Sequence, residues 1–235
     1  MLSFLLFTLL VGAPLSYPHA SEIKFQETTK AKDGKGLSVD EVTFIEAARQ
    51  GDNATVAKFL AAGLDVNLID KRDDERSTIL MVAAMAGKTD TVKLLLDHGA
   101  AINAKTKKGR TALTWASWRG MTDTVRVLLA AGADINSRDS LGSTPLTFAV
   151  SRNRTETVAV LLNAGAKTEF HHTETGQTAL IDAVVRGNID IVRLLLEKGA
   201  NVNEQDKEGR KPVDWARRLN RVEIEVLLRK AAAKS

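Results

Sequence analysis

Apolar residues fall at i, i+3 and i+4 in four short stretches of the 235-residue chain, "TVKLLL", "TVRVLL", "TVAVLL" and "IVRLLL". That spacing is the stripe of a helix that buries one face. Each stretch runs into a glycine, at Gly99, Gly132, Gly165 or Gly199, and Gly63 begins the column. A left-handed helix cap costs glycine nothing. Ahead of each stripe a shorter apolar group opens on Thr78, Thr111, Thr144 or Thr178, with Lys211 in that place in a fifth unit. The steps between these openings are 33, 33, 34 and 33 residues. The pattern predicts two helices per unit, a short one after the threonine and a second one ending at the glycine.

Five residues after each opening stands Ala83, Ala116, Ala149, Ala183 or Ala216, small enough for neighbouring helices to approach closely. Two residues after it stands Leu80, Leu113, Leu146, Leu180 or Val213, the apolar anchor of the short helix. Helices of about 8 to 12 residues are marginal alone. The units must therefore stack and share one continuous core, which makes the expected fold an all-α repeat solenoid. An earlier unit, "FIEAARQGDNATVAKFLAAGLDVN", has the helical part without the opening turn. The first and last units read as caps. Ser38 with Glu41 makes a capping box ahead of the first helix, and the last unit loses its glycine and continues into a basic helix containing Arg221, Arg229 and Lys230.

These columns resemble the ankyrin-repeat family from Ser38 to Ser235, about six repeats including both caps. The family's opening Thr-Pro-Leu-His is partly kept: proline stands at Pro145 and Pro212, and the histidine place holds Met81, Thr114, Thr147, Ile181 and Asp214. The resemblance implies a turn or β-hairpin followed by two antiparallel helices in each unit. Hairpins and first helices then line a concave face that docks a protein partner. On that face it places the column Met85, Trp118, Ser151, Val185 and Arg218, and the next column Ala86, Arg119, Arg152, Arg186 and Leu219. From the hairpin tips it adds Lys107, Lys108, Arg110, Leu141, Gln177 and Arg210. The first tip, with Asp74 and Glu75, is acidic, and the second and last are basic. Tryptophan and arginine are the types enriched at interface hot spots; the alternative is a solvated polar face with one exposed aromatic. Trp115 shares its column with Val82, Phe148, Asp182 and Trp215 and is expected to be framework. The stretch "KTEFHHTETG" carries the one-residue insertion, so Phe170, His171 and His172 belong either to a binding loop or to a longer turn.

The N-terminus changes the picture of where the protein works. "MLSFLLFTLLVGAPLSYPHASE" has no charged side chain before Glu22 and an apolar run to about Leu15. That is short of the roughly 20 apolar residues of a membrane span and fits a secretory signal. Residues 1–20 are expected to be the signal, cut after Ala20, and 21–37 a flexible polar lead-in to the repeat domain at 38–235. The mature protein is then periplasmic or secreted, without a transmembrane span. The alternative is a cytoplasmic or host-directed regulator that keeps its N-terminus.

Composition mostly removes possibilities. Apolar residues make up 44% and charged residues 26%, ordinary for a folded chain. A net charge of +4 falls short of a dedicated nucleic-acid binder, although Arg119, Arg152, Arg186, Lys107 and Lys108 keep that as an alternative. There is no cysteine, hence no disulfide, thiolate metal site or cysteine nucleophile. His171 and His172 are the one adjacent histidine pair and lack an evident third ligand, so a metal site is not expected. No Gly-x-Ser-x-Gly elbow, His-Glu-x-x-His helix or phosphate loop occurs. The expected protein is non-catalytic, needs no cofactor or small-molecule substrate, and acts as a monomer on a protein partner.

Overall fold

The computed structural model describes residues 36–233. Among the described residues twelve helices follow one another in antiparallel pairs: α1 (Val39–Gln50) with α2 (Asn53–Ala61), α3 (Ile79–Met85) with α4 (Thr89–Asp97), α5 (Ala112–Arg119) with α6 (Thr122–Ala130), α7 (Pro145–Ser151) with α8 (Thr155–Asn163), α9 (Ala179–Arg186) with α10 (Ile189–Glu197), and α11 (Pro212–Arg218) with α12 (Val222–Ala232). Odd-numbered helices stack on odd, and even on even, so two helical layers share one core. The alanine column is completely buried, from Ala83 through Ala116, Ala149 and Ala183 to Ala216. No named strand occurs among the described residues; one isolated antiparallel bridge joins Ile69 and Thr78.

Local chemistry sets the helix limits. The Ser38 hydroxyl accepts from Glu41 N–H, and the Glu41 carboxylate accepts from Ser38 N–H at 2.6 Å, the expected capping box. Each opening threonine is buried and its hydroxyl accepts from the N–H three residues on. Threonine stands in for histidine in two units: the Thr147 hydroxyl accepts from Thr144 N–H at 2.7 Å, and the Thr114 and Thr111 hydroxyls bond at 3.1 Å. In the last unit the Asp214 carboxylate takes the Lys211 N–H. The glycine column adopts positive φ throughout, +87° at Gly63 and +88° at Gly165, for example. At Gly120, which ends α5 with φ +78°, a Cβ would lie 2.6 Å from Arg154 Cδ, a contact that the flexible, exposed arginine can relieve, so the left-handed backbone is what favours glycine there.

Of the turn or β-hairpin expected ahead of each helix pair, turns are found, joined from unit to unit by backbone hydrogen bonds. Lys107 N–H donates to Glu75 C=O, Ser140 to Lys108, Thr173 to Leu141 and Lys207 to Thr175. Two side-chain ladders bind the helix pairs further. Hydroxyls meet at Thr89–Thr124 (2.9 Å) and Thr122–Thr157 (3.0 Å), and Thr91 donates to Asn53. Amide oxygens of Asn67, Asn103 and Asn136 accept the N–H of Ala101, Asp134 and Lys167. Both ladders stop between the α7–α8 pair and the α9–α10 pair, where Ile191 occupies the threonine place and Glu169 the asparagine place. Stability in stacked repeats is a sum of local interfaces, so α9 to α12 are expected to open as one unit. Native-state hydrogen exchange should show lower protection in those four helices than in α3 to α6; equal protection would show that apolar packing alone sets the seam.

Candidate functional site

The outer surface of the odd-numbered helices carries the chemistry. Trp118, near the end of α5, is half-buried, and Arg119 and Arg152 lie beside it exposed. The guanidinium carbon of Arg119 is 5.0 Å from the Trp118 ring centre and that of Arg152 is 4.6 Å away, both in cation–π range. Trp115 meets Trp118 edge to face, with centroids 5.9 Å apart and planes at 89°, which steadies the indole. Among the described residues neither Arg119 nor Arg152 forms an ion pair; Arg186, one unit on, is held by Asp182 at 2.9 Å. Trp118, Trp115, Phe148, Ser151, Arg152, Arg186 and Arg110 line a groove of about 510 Å³.

A second hollow of about 300 Å³ lies beside it, with Leu141, Ser143, Phe148, Ser151, Gln177 and Asp182 among its walls. Of the residues expected to bind a partner, Trp118, Arg110, Leu141, Ser151, Arg152, Gln177 and Arg186 thus line these two neighbouring hollows, and Arg119 borders the first through Trp118. Met85 lines a third hollow of about 160 Å³ with Arg49, Asp70 and Asp73, which meets the first at Trp115. Lys107 is exposed and Val185 half-buried, and neither lines a described hollow. Arg218 lies 5.8 Å from the Trp215 ring.

Several tip residues read as displayed charges are tied into the framework. Glu75 accepts from Arg110 Nη1 (3.0 Å), Lys108 Nζ (3.1 Å) and the Thr106 hydroxyl (3.1 Å), so the acidic first tip and basic second tip neutralise each other. In the last unit Asp206 accepts from Arg210 Nε at 3.0 Å and Trp215 Nε1 at 2.8 Å, while the Arg210 guanidinium lies 4.1 Å from the Trp215 ring. That set is divided between the second and third openings, at Thr111 and Thr144. Thr106, Arg110 and Trp115 hold the three places in one, and Asp139, Ser143 and Phe148 hold them in the other. Arg110 consequently packs between Trp115 and Phe148, 5.2 Å from each ring, and its Nε approaches Asp139 Oδ2 at 3.6 Å. Trp115 Nε1, Arg110 Nε and Asp139 Oδ2 are buried without a hydrogen-bond partner. Trp115 is therefore both framework and groove wall, where its column had indicated framework alone.

Burial pushes the carboxyls of Asp70 and Asp206 up, but donors more than offset it. Arg72 holds Asp70 below the usual carboxylate range, and Arg210 and Trp215 do the same for Asp206. Both groups bind fewer protons folded than unfolded near their titration range, so their stabilisation is complete above the unfolded pKa of ~3.9. It is lost as pH falls through the lower folded values. Asp206→Asn should flatten the acid limb of a stability-against-pH curve below pH ~4; an unchanged limb would mean that other carboxylates govern it.

In the inserted turn, His171 Nδ1 lies 2.8 Å from Gly176 C=O and its Nε2 3.3 Å from Glu204, while His172 Nδ1 accepts from Glu174 N–H. Phe170 lies 5.3 Å from the Arg138 guanidinium. No group of three or more metal-binding side chains occurs among the described residues, and none of their helices is long and apolar enough to cross a membrane. Residues 1–20, expected to be a signal, and most of the expected lead-in lie outside the described residues.

A family model for ankyrin repeats matches residues 44–139 and 134–206. The Escherichia coli ankyrin repeat protein YahD is 34% identical over 207 residues, covering 85% of this chain and 98% of that protein. Human M-phase phosphoprotein 8 is 34% identical over 92 residues, 38% of this chain but 11% of that protein. Yeast HOS4 is 41% identical over 78 residues, 33% of this chain and 7% of that protein.

Proposed function

The chain belongs to the ankyrin-repeat family, and we propose that it docks a protein partner on the exposed face of its odd-numbered helices, around Trp118. Ankyrin repeats are generally protein-interaction modules, and family members are typically non-enzymatic scaffolds. The observation that carries the reading is a tryptophan flanked by two arginines and steadied edge-on by Trp115. A surface held by stacked repeats loses little conformational entropy on binding, and a central aromatic with polar neighbours is the composition of a hot spot. The other half of the proposal is export. The apolar run to about Leu15 and the small residue at Ala20 support a cleaved signal and a periplasmic or secreted protein.

Trp118→Ala is expected to weaken the partner by about 2 kcal/mol while the circular-dichroism spectrum and unfolding midpoint stay close to wild type. The measurement is capture from the fraction that holds the protein, then titration of the purified partner. Equal affinity for both baits would move the interface away from this face. Intact mass from the same fraction tests export: a chain beginning near Ser21 agrees, and an uncut chain points to a cytoplasmic regulator.

A further inference from the structure

The arginines of this protein divide into two groups by their surroundings. Most hold a carboxylate within 4.0 Å, including Arg110, Arg186, Arg210 and Arg217. Seven form no ion pair among the described residues: Arg76 and Arg138 lie in the turns between helix pairs, whereas Arg119, Arg152, Arg154, Arg218 and Arg221 stand where an odd-numbered helix turns into its even-numbered partner. The helix dipole favours cations at a helix C-terminus, which accounts for Arg119, Arg152 and Arg218, whereas Arg154 and Arg221 are N-caps, where it disfavours them. It does not explain why two of the five converge on one indole. Arg119 and Arg152 come from successive units yet stack on Trp118, bringing two like charges to about one helix spacing, ~10 Å or less.

Neither guanidinium donates a side-chain hydrogen bond or forms an ion pair among the described residues, so the N–H donors of both are open to two-point contact with a carboxylate. Stacking on the indole also holds two long side chains in place before a ligand arrives, which lowers the entropy lost on binding. Resting on the reading that this face docks a protein, we infer that Trp118, Arg119 and Arg152 form a shelf for an acidic polypeptide segment. Carboxylates on the segment take the two guanidinium groups, and its backbone and apolar groups cover the indole. In an extended segment of the polyproline type, side chains three residues apart share a face and lie ~9 Å apart, within the ~10 Å upper bound on the separation of the two guanidinium groups. The remaining cations at Arg154, Arg218 and Arg221 extend the positive edge and steer such a segment in.

The test uses the full chain and two short synthetic peptides, one with glutamate at every third position and one with glutamine there, titrated by tryptophan fluorescence. The glutamate peptide is expected to bind at least about tenfold more tightly than the glutamine peptide. Arg119→Gln with Arg152→Gln should remove that difference, and lysine at both positions should restore part of it. Raising NaCl from ~50 to ~500 mM should weaken the glutamate peptide selectively. Arg126→Gln, on α6, should leave binding unchanged. Equal affinity for the two peptides, or affinity indifferent to the arginines, would overturn the inference. If Trp118→Ala still abolished capture of the cellular partner in that case, the docking face would stand and only the acidic chemistry would fall. Tighter binding of a single-stranded oligonucleotide with the same arginine dependence would also overturn it, in favour of nucleic acid.

Discussion

Arg110→Met should lower the free energy of unfolding by about 3 kcal/mol, read as a shift in the urea midpoint. Methionine keeps an unbranched stem that fits between Trp115 and Phe148, so the change removes the charge more than the packing. Two carboxylates then lose a partner. The Asp139 side chain is 1% exposed; its Oδ1 keeps the N–H groups of Leu141 and Ser143 at 2.9 Å, but Arg110 is the cation beside Oδ2. Glu75 keeps Lys108 and Thr106. Breaking one side of a buried pair costs roughly 3–5 kcal/mol, and the surviving donors place this case at the low end. Adding Asp139→Asn to the variant removes the uncompensated charge, so the double change should cost less than the two single changes added together. A loss below about 1 kcal/mol would show that Arg110 behaves as an exposed ion pair.

The repeat order, the helix pairs and the buried alanine column were legible because they depend on residue type at fixed spacing within one unit. The convergence of Trp118 with Arg119 and Arg152 was legible too, since neighbouring columns of adjacent units must touch. Pairing across units was harder to read. Glu75 and Arg110 are 35 residues apart and belong to tips of opposite sign, so each looked displayed when it is neutralised by the next. The divided set around Arg110 had a signal in the sequence. Asp206, Arg210 and Trp215 occupy places that become Thr106, Arg110 and Trp115 in one unit and Asp139, Ser143 and Phe148 in the next. Reading those three places together, and not column by column, exposes a donor and an acceptor that have lost their own-unit partners. The end of both ladders at Glu169 and Ile191 was visible in the same way. Its consequence needed the bonds made elsewhere, at Asn67, Asn103, Asn136 and the threonines.

Trp115→Ala should cost about 3 kcal/mol of stability, the second large effect, and it separates the two tryptophans of the groove. Trp115 packs against the core, supports Trp118 edge-on and forms one face of the Arg110 stack. Its removal leaves a cavity at the junction of two helix pairs, whereas Trp118 projects between exposed arginines and its removal should be felt in binding. Phenylalanine substitutions sharpen the argument. The indole N–H of Trp115 is buried without a partner, so Trp115→Phe removes an unsatisfied donor along with some apolar area and should be close to neutral. The same change at Trp215 removes a donor that the Asp206 carboxylate accepts at 2.8 Å, and should cost about 1–2 kcal/mol more. That ordering would assign the tryptophan of the last unit a hydrogen-bonded, structural task. It would leave Trp115 as a packed wall whose polar end serves no partner within the described residues. Equal costs for the two phenylalanine variants would mean that the Asp206 bond contributes nothing net. The division of the Asp, Arg and Trp places between the Thr111 and Thr144 units would then carry no energetic consequence.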